Sequence, residues 1–169
     1  MVKSTAKYSI LCGVFLFSLF FVSLRLGGNP FFNILHYLFD VVVFFLFTFF
    51  AGKEFKDFKN DGYLHFWQGI SIGSIVCIPA AIVFSLSLYV IFELNPKLME
   101  EYRESAKAFL ESKKDVFLEE FSREKFMEQF SAVDFVSTSE LALQTLWKKL
   151  FMGFFITLIV SIILRRKPK

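Results

Sequence analysis

Four long apolar blocks set the terms for this chain: about Tyr8 to Leu26, Phe31 to Ala51, Phe66 to Phe92 and Leu143 to Leu164. A helix rises about 1.5 Å per residue, so about 20 apolar residues cross the hydrocarbon of a bilayer. Each block is long enough. Each is also near-continuously apolar, whereas a membrane barrel strand alternates over about ten residues. In lipid a backbone must satisfy its own polar groups, and a helix does so within one segment. The expected fold class is all-α: a polytopic membrane protein of four transmembrane helices. A long charged segment separates blocks three and four, and it reads as an amphipathic helical extramembrane segment.

The length of 169 residues fits a single membrane domain, 1–169, with an outer helical insertion at 95–142. Of these residues 26 are Phe, more large rings than a soluble core of this size needs, whereas lipid-facing helices tolerate them. The net charge of +3 is small, and the Lys and Arg flank apolar blocks instead of forming one basic face. No nucleic-acid partner is expected. Cys12 and Cys77 fall inside apolar blocks and suggest neither a disulfide framework nor a metal site. No cofactor is implied.

Lys3 and Lys7 ahead of the first block resemble the start of a signal peptide. The run is long, however, and ends Ser-Leu-Arg-Leu-Gly-Gly without a small-residue cleavage site, so it reads as a retained first span. Basic residues then set the orientation. Lys3 and Lys7, the loop lysines Lys53, Lys56 and Lys59, and the tail Arg165-Arg166-Lys167-Pro168-Lys169 fall at one end of an even number of spans. By the positive-inside rule both termini are cytoplasmic. The segment 95–142, with seven basic and eleven acidic residues, is then periplasmic. Lys148 and Lys149, near the outer end of span four, argue weakly the other way.

Span three carries a packing code. Gly69, Gly73, Cys77, Ala81 and Ser85 recur every four residues and form one stripe of small side chains. Such a stripe lets a second helix approach closely. Span four has a shorter stripe, Gly153, Thr157 and Ser161. It is a candidate partner; a second copy of the chain is the other. Pro79 in mid-span should bend span three or free a carbonyl. Ser137-Thr138-Ser139-Glu140 fits a capping box that starts the last helix a turn or two outside the membrane.

Polar residues inside the spans are few. Asp40 lies near the middle of span two, with His36 one turn away and Asn33 and Tyr37 continuing the face outward. An ionisable group at mid-membrane costs on the order of 2.5–3.5 kcal/mol on insertion scales. Two readings stay open. One is a cation or proton site with Asp40 as titrating group and His36 as relay. The other is a structural hydrogen bond from a protonated Asp40 to a Ser or Thr nearby. No Lys or Arg is expected at matching depth on another span. Arg25 and Glu93, at the outer ends of their spans, either pair or reach individually to the interface.

The outer segment follows the break at Asn95-Pro96. Leu98, Tyr102, Ala106, Phe109 and Leu110 form one helical stripe, extended by Phe117 and Phe121; Phe126, Met127, Phe130 and Val133 form another. The expectation is two helices with a break near Ser122. They bury their rings against each other, the span ends or a second subunit, or lie in the lipid interface.

Gly62-Tyr63-Leu64-His65-Phe66-Trp67-Gln68-Gly69 leading into span three, Asn95-Pro96 leaving it, the Lys/Glu-rich helix beyond and the basic tail resemble an uncharacterised bacterial membrane family, domain of unknown function 4199, found mainly in Bacteroidota. The resemblance covers essentially the whole chain. It implies a four-span inner-membrane protein and carries no activity with it.

Two functions fit these observations. The first is a non-enzymatic accessory or assembly component working through its outer helices. Its partners would be the bilayer and a membrane protein or a second copy. The second is a small homodimeric ion- or proton-coupled transporter using Asp40. Such a protein would resemble small multidrug-type exporters, although here the acid lies in span two and the outer segment is long. A membrane enzyme is not expected. His36 and His65 lie about 20 Å or more apart at opposite ends of span two, and no metalloprotease, serine-hydrolase or P-loop pattern occurs.

Overall fold

The computed structural model describes residues 2–26 and 29–166, with side chains from Thr5 onward. Seven α-helices follow in order: α1 (Val2–Arg25), α2 (Ile34–Lys59), α3 (Phe66–Leu94), α4 (Pro96–Ser112), α5 (Lys114–Glu120), α6 (Arg123–Ala132) and α7 (Thr138–Leu164), with a 3-10 turn at Val133–Phe135 before the last. Helices α1, α2, α3 and α7 are long and apolar enough to cross a membrane. They carry the four apolar blocks, and the protein is an all-α, multi-pass membrane protein. The tail residues Lys167, Pro168 and Lys169 and the turn residues Gly27 and Gly28 lie outside the described residues.

Helices α2 and α7 outrun their apolar blocks. Helix α2 continues past Ala51 to Lys59. Its extension is held by α1: Lys7 Nζ and the Tyr8 hydroxyl both donate to the Glu54 carboxylate. Helix α7 begins at Thr138, five residues before the apolar block. The Ser137–Glu140 capping box fixes that start: the Glu140 N–H donates to Ser137 Oγ at 3.2 Å and the Ser137 N–H to Glu140 Oε2 at 3.0 Å.

Helix α3 packs against both α1 and α7, and α2 does the same. The interior between them is apolar, from Leu16 and Phe20 on α1, through Phe44 on α2 and Val76, Phe84 and Leu88 on α3, to Ile156 and Val160 on α7. The outer face is also apolar: Phe15, Leu38, Phe50, Ile82, Phe154 and Ile162 are each more than two-fifths exposed. Apolar residues inside and out are what lipid-immersed helices require.

The small stripe on α3 is occupied by α7 of the same chain. A Cβ built on Gly69 would strike Ser161, one on Gly73 would strike Thr157, and one on Gly153 would come within 2.8 Å of Cys77. Each step of four up α3 thus meets a step of four down α7. Close approach replaces the hydrophobic effect, which is weak between helices already in lipid. Pro79 is accommodated within an unbroken α3. Cys12 and Cys77 are buried and free, and Cys77 Sγ lies 3.5 Å from Thr48 Oγ1.

Helices α4 to α6 and the 3-10 turn form a cap over one end of the bundle. There are three helices here, not two. Ser122 caps α6 through its hydroxyl, accepting from the Lys125 N–H, but a further break at Lys113 separates α4 from α5. Helix α4 rests on the α1–α2 connection, with Tyr102 edge-on to Phe31 at 4.9 Å and Phe109 stacked on Phe32 at 4.9 Å. Arg103 donates to the Val136 carbonyl at 2.8 Å, and Lys107 pairs with Asp134. Phe126 is the buried centre of a ring cluster with Phe117, Phe121 and Phe130. Arg25 lies over the Phe21 ring, 5.1 Å from its centroid.

Candidate functional site: a buried charge cluster between α2 and α7

The residues singled out on α2 divide between two tasks. Asn33 is the N-cap, its side-chain oxygen accepting from the Leu35 N–H at 2.9 Å. The Tyr37 hydroxyl donates to the Phe31 carbonyl at 2.8 Å and so pins the preceding loop. Both order the start of α2. His36 and Asp40, one turn apart on the same face, point inward and are buried. His36 Nε2 lies 3.9 Å from Asp40 Oδ1.

Asp40 has a cationic partner on another span. Lys149 on α7 donates to Asp40 Oδ2, and the two side chains are 6% and 1% exposed. The absence of a basic residue at matching depth was expected and is overturned. The reason is the early start of α7. Lys149 stands eleven residues after Thr138, about 16 Å along the helix, and so lies well inside the bundle. A protonated Asp40 bonded to a Ser or Thr is not needed. The carboxylate finds an ammonium instead, and the pair offsets two desolvation costs at once.

The packing register runs on to this lysine. Gly69, Gly73 and Cys77 face Ser161, Thr157 and Gly153 in steps of four. The same period of four continues to Ala81 and Ser85 on α3 and to Lys149 and Thr145 on α7. Ala81 is fully buried, and Lys149 is buried as well. The Lys149 ammonium also lies over the Phe84 ring, 4.3 Å from its centroid. Phe20 of α1 packs edge-on to His36 at 5.8 Å. All four spanning helices therefore contribute to the cluster.

Of the four buried side-chain atoms without a hydrogen-bond partner among the described residues, two belong to this cluster: His36 Nε2 and Asp40 Oδ1. They border a cavity of about 30 Å³ between the rings of Phe20, Phe31 and Phe84, with Lys148 and Lys149 also on its wall. That volume admits a water but nothing much larger. Sequence reasoning found the two α2 members from their polarity and missed Lys149, which looked like an interfacial lysine.

The fold and this cluster define a class: a four-span helical membrane protein with a neutralised ion pair inside its bundle and a helical cap at one end. Within that class the chain belongs to the family described as Protein of unknown function (DUF4199), which matches residues 7–166. The stretch 62–69 behind the family resemblance forms the α2–α3 corner. Gly62 takes a positive φ of 77°, Leu64 pairs by backbone with Arg166, and Gly69 meets Ser161. No curated protein and no solved structure matches the chain.

Proposed function

We propose that this protein is a non-enzymatic component of the bacterial inner membrane that docks a partner through its cap. Both termini lie in the cytoplasm on this reading and the cap in the periplasm. The orientation is supported by Lys53, Lys56, Lys59, Arg165 and Arg166 at the end away from the cap.

One observation carries the proposal. The cap leaves Val116, Phe121, Met127 and Phe135 exposed, by 58%, 45%, 56% and 83%. On the spanning helices such residues meet lipid. On the cap they meet water or the lipid interface unless a partner covers them. The four helices below supply a rigid mount, and the Lys149–Asp40 pair ties the last span to the second.

A photoreactive amino acid at position 121 or 127, in the full chain in native membranes, tests this. A discrete crosslinked product, with another membrane protein or with a second copy, is expected. A normally accumulating protein that yields no product from either position contradicts it.

A second reading is a small proton- or ion-coupled transporter built as a homodimer around Asp40. It draws on the unpartnered Asp40 Oδ1 and His36 Nε2. Lys149 weighs against it, because a carboxylate already neutralised by a tethered ammonium is a poor site for a transported cation. Asp40→Asn that folds yet leaves every growth and transport phenotype intact removes this reading.

A further inference from the structure

We infer that His36, Asp40 and Lys149 form a proton-binding site with a water-sized chamber, in which His36 takes a proton from the cap end and turns it to Asp40 Oδ1, while Lys149 holds Oδ2. The inference is independent of what the cap binds.

Geometry carries it. His36 Nε2 and Asp40 Oδ1 are 3.9 Å apart, too far for a direct hydrogen bond but right for one bridging water. Both atoms lack a partner within the protein, although their residues are only 6% and 1% exposed. A buried polar atom left unsatisfied is costly, and natural proteins rarely leave two facing each other. The chamber of about 30 Å³ is lined by the rings of Phe20, Phe31 and Phe84 and also by Thr145, Lys148 and Lys149. A water there has these two atoms to bond, and its volume requirement is met.

Helices α2 and α7 both begin at the cap end, and helical side chains lean toward the N-terminus. His36 therefore sits between Asp40 and the cap. One proton enters and joins the imidazole. The imidazolium then pairs with the Asp40 carboxylate, while Lys149 keeps its own proton. The other groups facing the cluster are Cys12 from α1, Tyr37 from α2 and Lys148 from α7; α3 presents the Phe84 ring. Tyr102 of the cap faces Tyr37.

The test is NMR on the full chain in lipid nanodiscs, with labelled His ring nitrogens and Asp carboxyl carbons, titrated between about pH 5 and 8. His36→Gln and His65→Gln assign the two histidines. The expected result is a His36 transition and an Asp40 carboxyl shift with one common midpoint, and loss of that Asp40 shift in His36→Gln. The wild-type titration needs no variant, and His36→Gln leaves the ion pair in place. A His36 that keeps one protonation state across the range overturns the inference. So does an Asp40 shift that persists in His36→Gln.

Discussion

Lys149 and Asp40 stand 109 positions apart and meet inside the bundle as a buried ion pair. The contact joins the second span to the last. Until α7 is in place, α2 carries an acid into the membrane with no partner, and α7 likewise carries a base. The pair therefore specifies which helices neighbour each other, beyond what shape alone fixes. The small stripe of α3 then sets how closely α7 approaches and at what register.

That seam gives the first prediction. Gly73→Ala places a methyl into the Thr157 side chain, and overpacking of this kind costs about 1–3 kcal/mol. Thermal unfolding in detergent should show the loss, and Thr157→Gly in the same chain should recover part of it. Full stability of Gly73→Ala alone would mean that α3 and α7 are not this close.

The start of α7 gives the second. Ser137→Ala removes the oxygen that accepts the Glu140 N–H and should cost about 1 kcal/mol. Hydrogen exchange at the Glu140 amide should quicken, with protection in the membrane-embedded part of α7 unchanged. Exchange spreading through the whole helix would show that the cap holds more than the first turn.

The third concerns the cap. Phe126 is 2% exposed and anchors α5 to α6. Phe126→Ala should cost the cap about 3–5 kcal/mol. Because the anchor is local, exchange should quicken across residues 114–132 while α1, α2 and α3 stay protected. Global loss of protection would show instead that the spans depend on the cap.

The fourth is a pH dependence. Burial, with a smaller contribution from nearby Tyr37, holds the Tyr102 phenol above its ordinary value of 10.0. The folded state thus keeps the proton more tightly than the unfolded chain. The stabilisation is whole below the unfolded value and is lost as pH rises through the folded one. Tyr102→Phe should flatten the alkaline limb of the stability curve, read by thermal unfolding in steps of pH. An unchanged alkaline limb would place the ring in solvent.

The spans were legible because lipid imposes one simple rule, and the sequence obeys it in four blocks. The stripe from Gly69 to Ser85 was legible for the same kind of reason: a period of four has one meaning on a helix. Asp40 and His36 stood out by polarity. Lys149 did not, since a lysine near the end of an apolar run ordinarily reaches to the interface. The information was present in the Ser137–Glu140 box, which starts α7 early enough to bury position 149. Yet pairing with Asp40 also needs the α3–α7 register and the place of α2, and those arise only when the helices assemble. The extension of α2 to Lys59 and the break at Lys113 rest likewise on contacts between distant residues.

The most direct test is a double-mutant cycle at positions 40 and 149, read as unfolding free energy in detergent. Asp40→Leu and Lys149→Met should each lose about 3–5 kcal/mol, because each strands a buried charge. The double variant should regain most of that loss. Losses that simply add would show that Asp40 and Lys149 do not meet in the folded protein.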